Sequence, residues 1–259
     1  MTSSSPFSSK PGNAIAQWSK PSAEFDLRLK NTLSRLEQSI RTLNPIKQAS
    51  SLGPEDIVIT HLLETNGIAV PVFVLETGAL HHQTIALLER LQANTKMPLE
   101  IYRPKAERVI EFVKTKGQKS IYESIENRKS CCQIRKIEPL SRALNGQRAW
   151  ITGLRREQSQ TRSEVNFLDN SELSTKGYTK VNPLVEWSWG DVWNYIEKHS
   201  LDFNPLHDEF YPSIGCAPCT RAISLGEEFR AGGWWWEDEN AKECGLHVKS
   251  PQQTSSSLS

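Results

Sequence analysis

Four of the five cysteines in this 259-residue chain stand in two pairs, Cys131-Cys132 and Cys216-Ala-Pro-Cys219, and the fifth is Cys244. Four thiolates suit either a tetrahedral zinc ion or an iron–sulfur cluster. The tandem pair fits zinc less well, because zinc-binding cysteine pairs normally have about two to four residues between them. A redox C-x-x-C should open a helix just after a strand, whereas Cys216 follows Ser213-Ile214-Gly215 in a loop-rich stretch. Spacing alone leaves cluster, zinc and redox pair open. Adjacent cysteines bridge poorly to each other, and an odd count without a secretory signal does not make a disulfide framework. A reducing, cytoplasmic setting is expected.

Cys244 sits in Lys242-Glu243-Cys244-Gly245-Leu246-His247. Nearby cations favour a thiolate, and an exposed thiolate is a nucleophile. The plain alternative is an inert, buried thiol.

Two polar loops suit an anion. Gly153-Leu154-Arg155-Arg156 leads to Gln158-Ser159-Gln160-Thr161-Arg162, and guanidinium forks pair bidentately with phosphate or sulfate oxygens. The competing reading is a solvated charged loop. Ser50, Ser51 and Gly53 can present hydroxyls and backbone amides at a helix N-terminus. Neither G-x-x-x-x-G-K-[ST] nor G-x-G-x-x-G occurs, which argues against a Walker ATPase and a dinucleotide Rossmann protein. His81-His82 fits surface exposure better than ligand contact, and Trp234-Trp235-Trp236 fits packing better than base stacking.

The elements that must carry these residues alternate in type. Strands are predicted at 46–50, 71–75, 99–102, 148–152 and 179–183. Helices are predicted from Glu55, around Ile85, Leu88 and Leu91, and over 105–116. Ser188-Trp189-Gly190-Asp191 reads as a capped helix start, followed by a stripe of Trp189, Val192, Trp193 and Ile196. Such alternation predicts an α/β fold with a doubly wound, mostly parallel sheet and a loop-rich C-terminal segment. Ligands then sit beyond the carboxyl ends of the strands, where both anion-suited loops fall.

Hydrophobic residues make up 37% and charged residues 24% of the chain, enough apolar material for one sizeable core. With 31 Lys+Arg against 30 Asp+Glu, the formal net charge of +1 disfavours a nucleic-acid partner. No apolar run approaches the ~20 residues of a membrane-spanning helix, so a soluble protein without a membrane partner is expected. The expected organisation is a disordered tail over 1–23, a single domain over 24–247 with a mobile segment from about 220, and a polar tail over 248–259.

Together the motifs SSLGPED (50–56), LETG (75–78), CCQIRKIEPL (131–140), GLRREQSQTR (153–162), GCAPC (215–219), RAGGWWWE (230–237) and KECGLH (242–247) resemble the thioredoxin-dependent assimilatory adenylyl-sulfate (APS) reductases of the PAPS/APS reductase family. The resemblance covers roughly residues 43–247 and implies an adenine-nucleotide α-hydrolase-like fold. It implies that Cys131, Cys132, Cys216 and Cys219 hold one 4Fe–4S cluster that stays in one redox state. It also makes Cys244 the nucleophile that takes the sulfo group from APS, with thioredoxin, a separate protein, releasing sulfite. By the same resemblance, Lys136 lies near cluster and substrate, Arg162 and Arg230 bind the phosphosulfate, His247 assists there, and Ser50, Ser51 and Gly53 hold the nucleotide. Lys136 follows Cys132 by four residues, which a helix would put on one face, but Pro139 predicts a kinked segment.

Gly233 stands where the family's tryptophan motif has a second arginine, and Ala79 and Gln83 stand where arginine and glutamate are common. The neighbouring alternative is a PAPS reductase, a type that typically lacks the two cysteine pairs. A tRNA-thiolation enzyme of the same architecture would need S-G-G-x-D-S, which SSLGPED does not supply. The alternative of another class is a non-catalytic zinc or iron–sulfur binding module with Cys244 inert.

Overall fold

The computed structural model describes residues 13–159, 162–224 and 226–237. In chain order the elements are α1 (Asn13–Trp18), α2 (Phe25–Thr42), β1 (Ile46–Ser50), α3 (Pro54–Thr65), β2 (Val72–Leu75), α4 (His82–Asn94), β3 (Leu99–Tyr102) and α5 (Ala106–Lys116). Then come α6 (Ile125–Cys132), α7 (Glu138–Leu144), β4 (Ala149–Ile151), β5 (Leu168–Asp169), α8 (Leu173–Lys176), β6 (Thr179–Val181) and α9 (Trp189–Lys198). The strands lie in the order β3-β2-β1-β4-β6-β5, all parallel except β5 against β6. The chain leaves β1 toward one edge, then crosses back to β4. The carboxyl ends of β1 and β4 therefore flank the switch point where open α/β sheets bind ligands.

Alternation along the strands buries both faces, as a doubly wound sheet requires. Phe73 and Trp150 point to one face and pack with Leu140, Ala143 and Leu144 of α7. Val72, Ala149 and Ile151 point to the other and join Val58, Leu62, Val192 and Trp193 of α3 and α9. β1 has few apolar residues, yet Gln48 is fully buried because its amide donates to the Asp56 carbonyl and the Thr60 hydroxyl, each at 2.9 Å. That pairing fixes the first turn of α3 beside the end of β1.

The expected cap of α9 is present: the Asp191 amide donates to Ser188 Oγ at 3.0 Å, and Asp191 accepts from the Ser188 amide at 2.9 Å. Asp191 also accepts from the Ser22 amide at 2.7 Å and from Arg28 at 3.1 Å, which draws the chain before α2 onto α9.

At both boundaries the structure shows packed residues. α1 lies inside the stretch assigned to the disordered tail: Ala14 is fully buried, and Trp18 sits 5.5 and 5.4 Å from Trp189 and Trp193. A six-residue helix draws its stability from such burial, which polar composition does not reveal. Beyond residue 220, Thr220 pairs with Gly233, and Gly232 is packed so that a Cβ would fall 2.3 Å from the Arg221 carbonyl. Cys244, His247 and the polar tail from 248 lie outside the described residues.

Candidate active site

Three strand-end loops and two cysteine segments meet at the carboxyl edge of the sheet. After β1 the chain turns through Leu52, a non-glycine residue in the left-handed region with φ 62°. The Leu52 amide donates to Ser50 Oγ at 3.2 Å, while the Ser51 amide and hydroxyl both donate to Asp56 Oδ2 at 2.7 Å. Ser50 is buried and Ser51 exposed, and Gly53 caps α3 ahead of Pro54. Burial, with Glu55 beside it, pushes the Asp56 carboxyl up to about 6 against the Ser51 hydrogen bonds.

The loop after β4 fits tightly against this turn. A Cβ on Gly153 would stand 2.6 Å from Asp56 Oδ1, so the close approach requires glycine. Only part of the arginine-rich loop faces the cavities. Arg155 is 1% exposed and donates to Glu55 Oε1 at 2.8 Å. Burial would raise the Glu55 carboxyl, but the Arg155 charge and the hydrogen bonds from Gln158 and Arg155 hold it below its ordinary value. Arg156 is exposed and donates to the Val165 carbonyl. Arg162 lines the cavities, and its guanidinium donates to Gln158, whose amide donates in turn to Glu55 at 2.9 Å.

The loop after β2 carries the second cysteine pair. The Ala217 amide donates to the Ala79 carbonyl at 2.8 Å, Leu80 pairs with Cys216, and Thr77 Oγ1 lies 3.3 Å from Cys216 Sγ. The first pair ends α6, which runs through a π turn, Gln133–Ile137, into α7. This is the form the expected kink takes. Pro139 cannot donate to residue 135, and the wider turn absorbs the missing bond. Arg135 donates to the Thr77 carbonyl at 2.6 Å.

The structure brings all four cysteines to one cavity of about 950 Å³, with Arg135, Lys136, Arg162 and Arg230 also in its lining. Burial, reinforced by Cys216, Cys132 and Cys131 against an opposing Lys136, pushes the Cys219 thiol up to about 12. Burial likewise raises Cys131 despite Arg135. Four crowded sulfurs thus need a cationic centre to become thiolates together. Among the described residues no three His, Cys, Asp or Glu side chains converge on a single metal ion. Four thiols lining one chamber are a donor set that a tetrahedral metal ion or an iron–sulfur cluster could use. A second cavity, about 270 Å³, lies over the ends of β1, β2 and β4 and is lined by Ser50, Ser51, Asp56, Thr152 and Gly153. The two share Leu80, Lys136, Gln158, Arg162, Ile214 and Gly215, so one cleft runs from the serine turn to the thiols.

Sequence reasoning gave no individual role to Thr77, Arg128, Gln158 or Glu237, although LETG, GLRREQSQTR and RAGGWWWE contain three of them. Thr77 was discoverable from its position in a strand-end loop. Arg128 carries the signal of standing three residues before Cys131, on the same helical face. Glu237 closes RAGGWWWE, but its pairing with Arg128 has no local signal. His82 is exposed, as expected, and His81 is half-buried against Tyr211.

Fold and cleft define an α/β protein with an anion-suited pocket at the switch point of its sheet and a thiol chamber opening into it. Residues 45–222 match the phosphoadenosine phosphosulfate reductase domain family. The chain belongs to that family. It is 45% identical over 222 residues to the adenosine 5'-phosphosulfate reductase of Allochromatium vinosum, covering 85% of this chain and 86% of that one. Identity to the enzyme of the same name from Burkholderia cepacia is 47% over 203 residues, covering 78% and 80%. The crystal structure of the phosphoadenylyl-sulfate reductase of Candida auris, a phosphate complex, superposes with TM-score 0.64 at 27% identity, covering 79% of this chain and 98% of that one. The expected adenine-nucleotide α-hydrolase-like fold is thus the fold of this chain. No helix among the described residues is long and apolar enough to cross a membrane.

Proposed function

We propose that this protein is a thioredoxin-dependent adenylyl-sulfate reductase, converting APS to sulfite and AMP. The observation that carries the reading is the continuity of the cleft: an anion-suited pocket at the sheet's switch point opens, past Lys136 and Arg162, into a chamber of four thiols. The family match and the names of the relatives support the same reaction.

In this reading the nucleotide lies over the ends of β1 and β4, held by Ser50, Ser51 and Gly53. Lys136, Arg162 and Arg230, with His247, face the phosphosulfate and offset its charge. Cys131, Cys132, Cys216 and Cys219 hold a 4Fe–4S cluster, which adds fixed charge and positioning without changing redox state. The Cys244 thiolate attacks the sulfur of APS. An S–S bond forms, the S–O bond to the phosphate breaks, and AMP leaves with that electron pair. Cations at the phosphate stabilise the charge developing on it. One thiol of thioredoxin then attacks Cys244 Sγ and expels sulfite. Its second thiol resolves the mixed disulfide, so the dithiol supplies both electrons.

The test is mass spectrometry of intact protein and peptides after anaerobic incubation with APS or PAPS, without thioredoxin. One sulfo group on the peptide containing Cys244, with release of AMP from APS, is expected. Labelling by PAPS alone would transfer the protein to the phosphorylated substrate. No adduct from either, in protein shown to hold iron and sulfide, would overturn the reading in favour of a binding module.

A further inference from the structure

The two cysteine pairs come from segments far apart in sequence, so something must fix the distance between them. α6 begins at a capped turn, where the Asn127 amide donates to Ser124 Oγ at 3.1 Å, and ends in Cys131 and Cys132. One turn before them, Arg128 projects from the same helical side into the protein and is 1% exposed. Its Nε donates to Glu237 Oε1 at 2.9 Å and its Nη2 to Glu237 Oε2 at 2.7 Å, a fork-to-fork pair whose acidic side chain is 3% exposed. The same guanidinium lies 4.6 Å from the ring centroid of Trp234.

Trp234 and Glu237 form one turn, closed by the Glu237 amide donating to the Trp234 carbonyl at 2.9 Å. From its other end, the Trp234 amide donates to the carbonyl of Cys219 at 2.9 Å, next to the pairing of Thr220 with Gly233. A continuous path therefore runs from the helix of Cys131 and Cys132, through Arg128, Glu237 and Trp234, to Cys219. On the solvent side, the Tyr122 hydroxyl donates to the Pro218 carbonyl at 2.8 Å, but Tyr122 is exposed and holds less firmly.

A buried ion pair is a poor means of stabilising a fold, because desolvation offsets most of its attraction. What it supplies is geometry, since a bidentate fork admits one orientation. We propose that Arg128 and Glu237 are positioning residues that set the spacing of the two cysteine pairs for the cluster they share. This deepens the cluster reading and rests on it.

The experiment uses the full chain purified without oxygen, comparing wild type with Glu237→Gln, Arg128→Lys and the double variant Arg128→Met/Glu237→Leu. Iron release to a chelator and thermal unfolding are followed on the same samples. Both single variants and the double variant should release iron about tenfold faster. The double variant removes both charges of the pair together and should unfold within a few degrees of wild type. Release at the wild-type rate from the folded double variant would overturn the proposal. If that variant does not fold, an unchanged rate in Glu237→Gln would do the same. Wild-type protein without iron would instead defeat the cluster reading. The spacing claim is then decided by iodoacetamide: faster alkylation of Cys219 in Glu237→Gln upholds it, and equal rates overturn it.

Discussion

Thr77 and Cys216, 139 residues apart in sequence, touch through hydroxyl and sulfur at 3.3 Å. The contact lets the loop after β2, a rigid product of the sheet, hold the start of the C-A-P-C turn. Gly78 follows with φ 66°, and the Ala79 amide turns back onto Thr77 Oγ1 at 3.2 Å. Thr77 is 1% exposed, so its hydroxyl serves sulfur and backbone rather than water.

Thr77→Val keeps the shape and removes the hydroxyl, leaving the Ala79 amide without its acceptor. Urea denaturation should show a loss of about 1–2 kcal/mol. Iron release to a chelator should accelerate, whereas Thr77→Ser should behave as wild type. A Val variant with unchanged iron retention would show that the contact is only packing.

Glu55 links the sheet core to the substrate side of the cleft through Arg155, Gln158 and Arg162. Glu55→Gln removes the more buried of the two carboxylates that pair with Arg155, leaving Glu157 at 2.9 Å, and loosens Gln158, which keeps its bond to the Gly153 carbonyl. Stability should fall by about 1–2 kcal/mol. At a temperature where the variant is folded, KM for APS should rise about fivefold with kcat little changed, because Arg162 loses its orientation. Unchanged KM would mean that Arg162 is set by other contacts.

His207 gives the structure an acid limit. It is 2% exposed between Trp189 and Trp193 with neither ring nitrogen hydrogen-bonded among the described residues, and burial pushes its imidazole down to about 4 against the Glu55 charge. The unfolded chain takes up this proton near pH 6.5 and the folded one only near 4. Stability is therefore fully present above 6.5 and is lost as pH falls from there toward 4, by about 3 kcal/mol at most. Asp56, with its carboxyl raised to about 6, works in the opposite direction below pH 6. The difference between wild type and His207→Phe isolates the histidine. Urea midpoints measured from pH 7.5 to 4.5 should fall more steeply for wild type, and parallel curves would refute the assignment.

The sheet was legible where a strand carries a compact apolar run, as β2 does, and where its loops carry turn residues. PVFVL gave β2 almost to the residue, and Ser188-Trp189-Gly190-Asp191 gave the start of α9. α1 and β5 were not legible, since six residues on a neighbouring helix and two on an edge strand owe their order to tertiary contact. The site divides the same way. Residue type and spacing identified four cysteines that do line one cavity. Charge alone suggested three arginines for an anion, yet Arg155 is occupied by Glu55, a pairing across 100 residues that no local pattern announces. The Arg128–Glu237 pair was hidden for the same reason, across 109 residues.

Gly233 offers the most direct test of how the cleft binds charge. It lines the thiol chamber beside Arg230, and its amide donates to the Arg230 carbonyl at 3.0 Å. Among the described residues a Cβ placed there would meet only that carbonyl, at 3.6 Å, an ordinary contact, and the backbone is not in the left-handed region. Gly233→Arg is therefore sterically admissible. In the empty enzyme the new guanidinium would add to the charge of Arg230, Arg162 and Lys136 in the same chamber lining and should slightly destabilise the fold. With an anionic phosphosulfate in place the same charges become favourable, so the gain appears on binding. KM for APS should fall about three- to tenfold and kcat should change less than about twofold. The advantage should shrink as salt is raised from low ionic strength to about 0.5 M, where screening shortens the reach of each charge. An unchanged KM at low salt would place the phosphosulfate away from residue 233 and leave Arg162, Lys136 and Arg230 as its cationic partners.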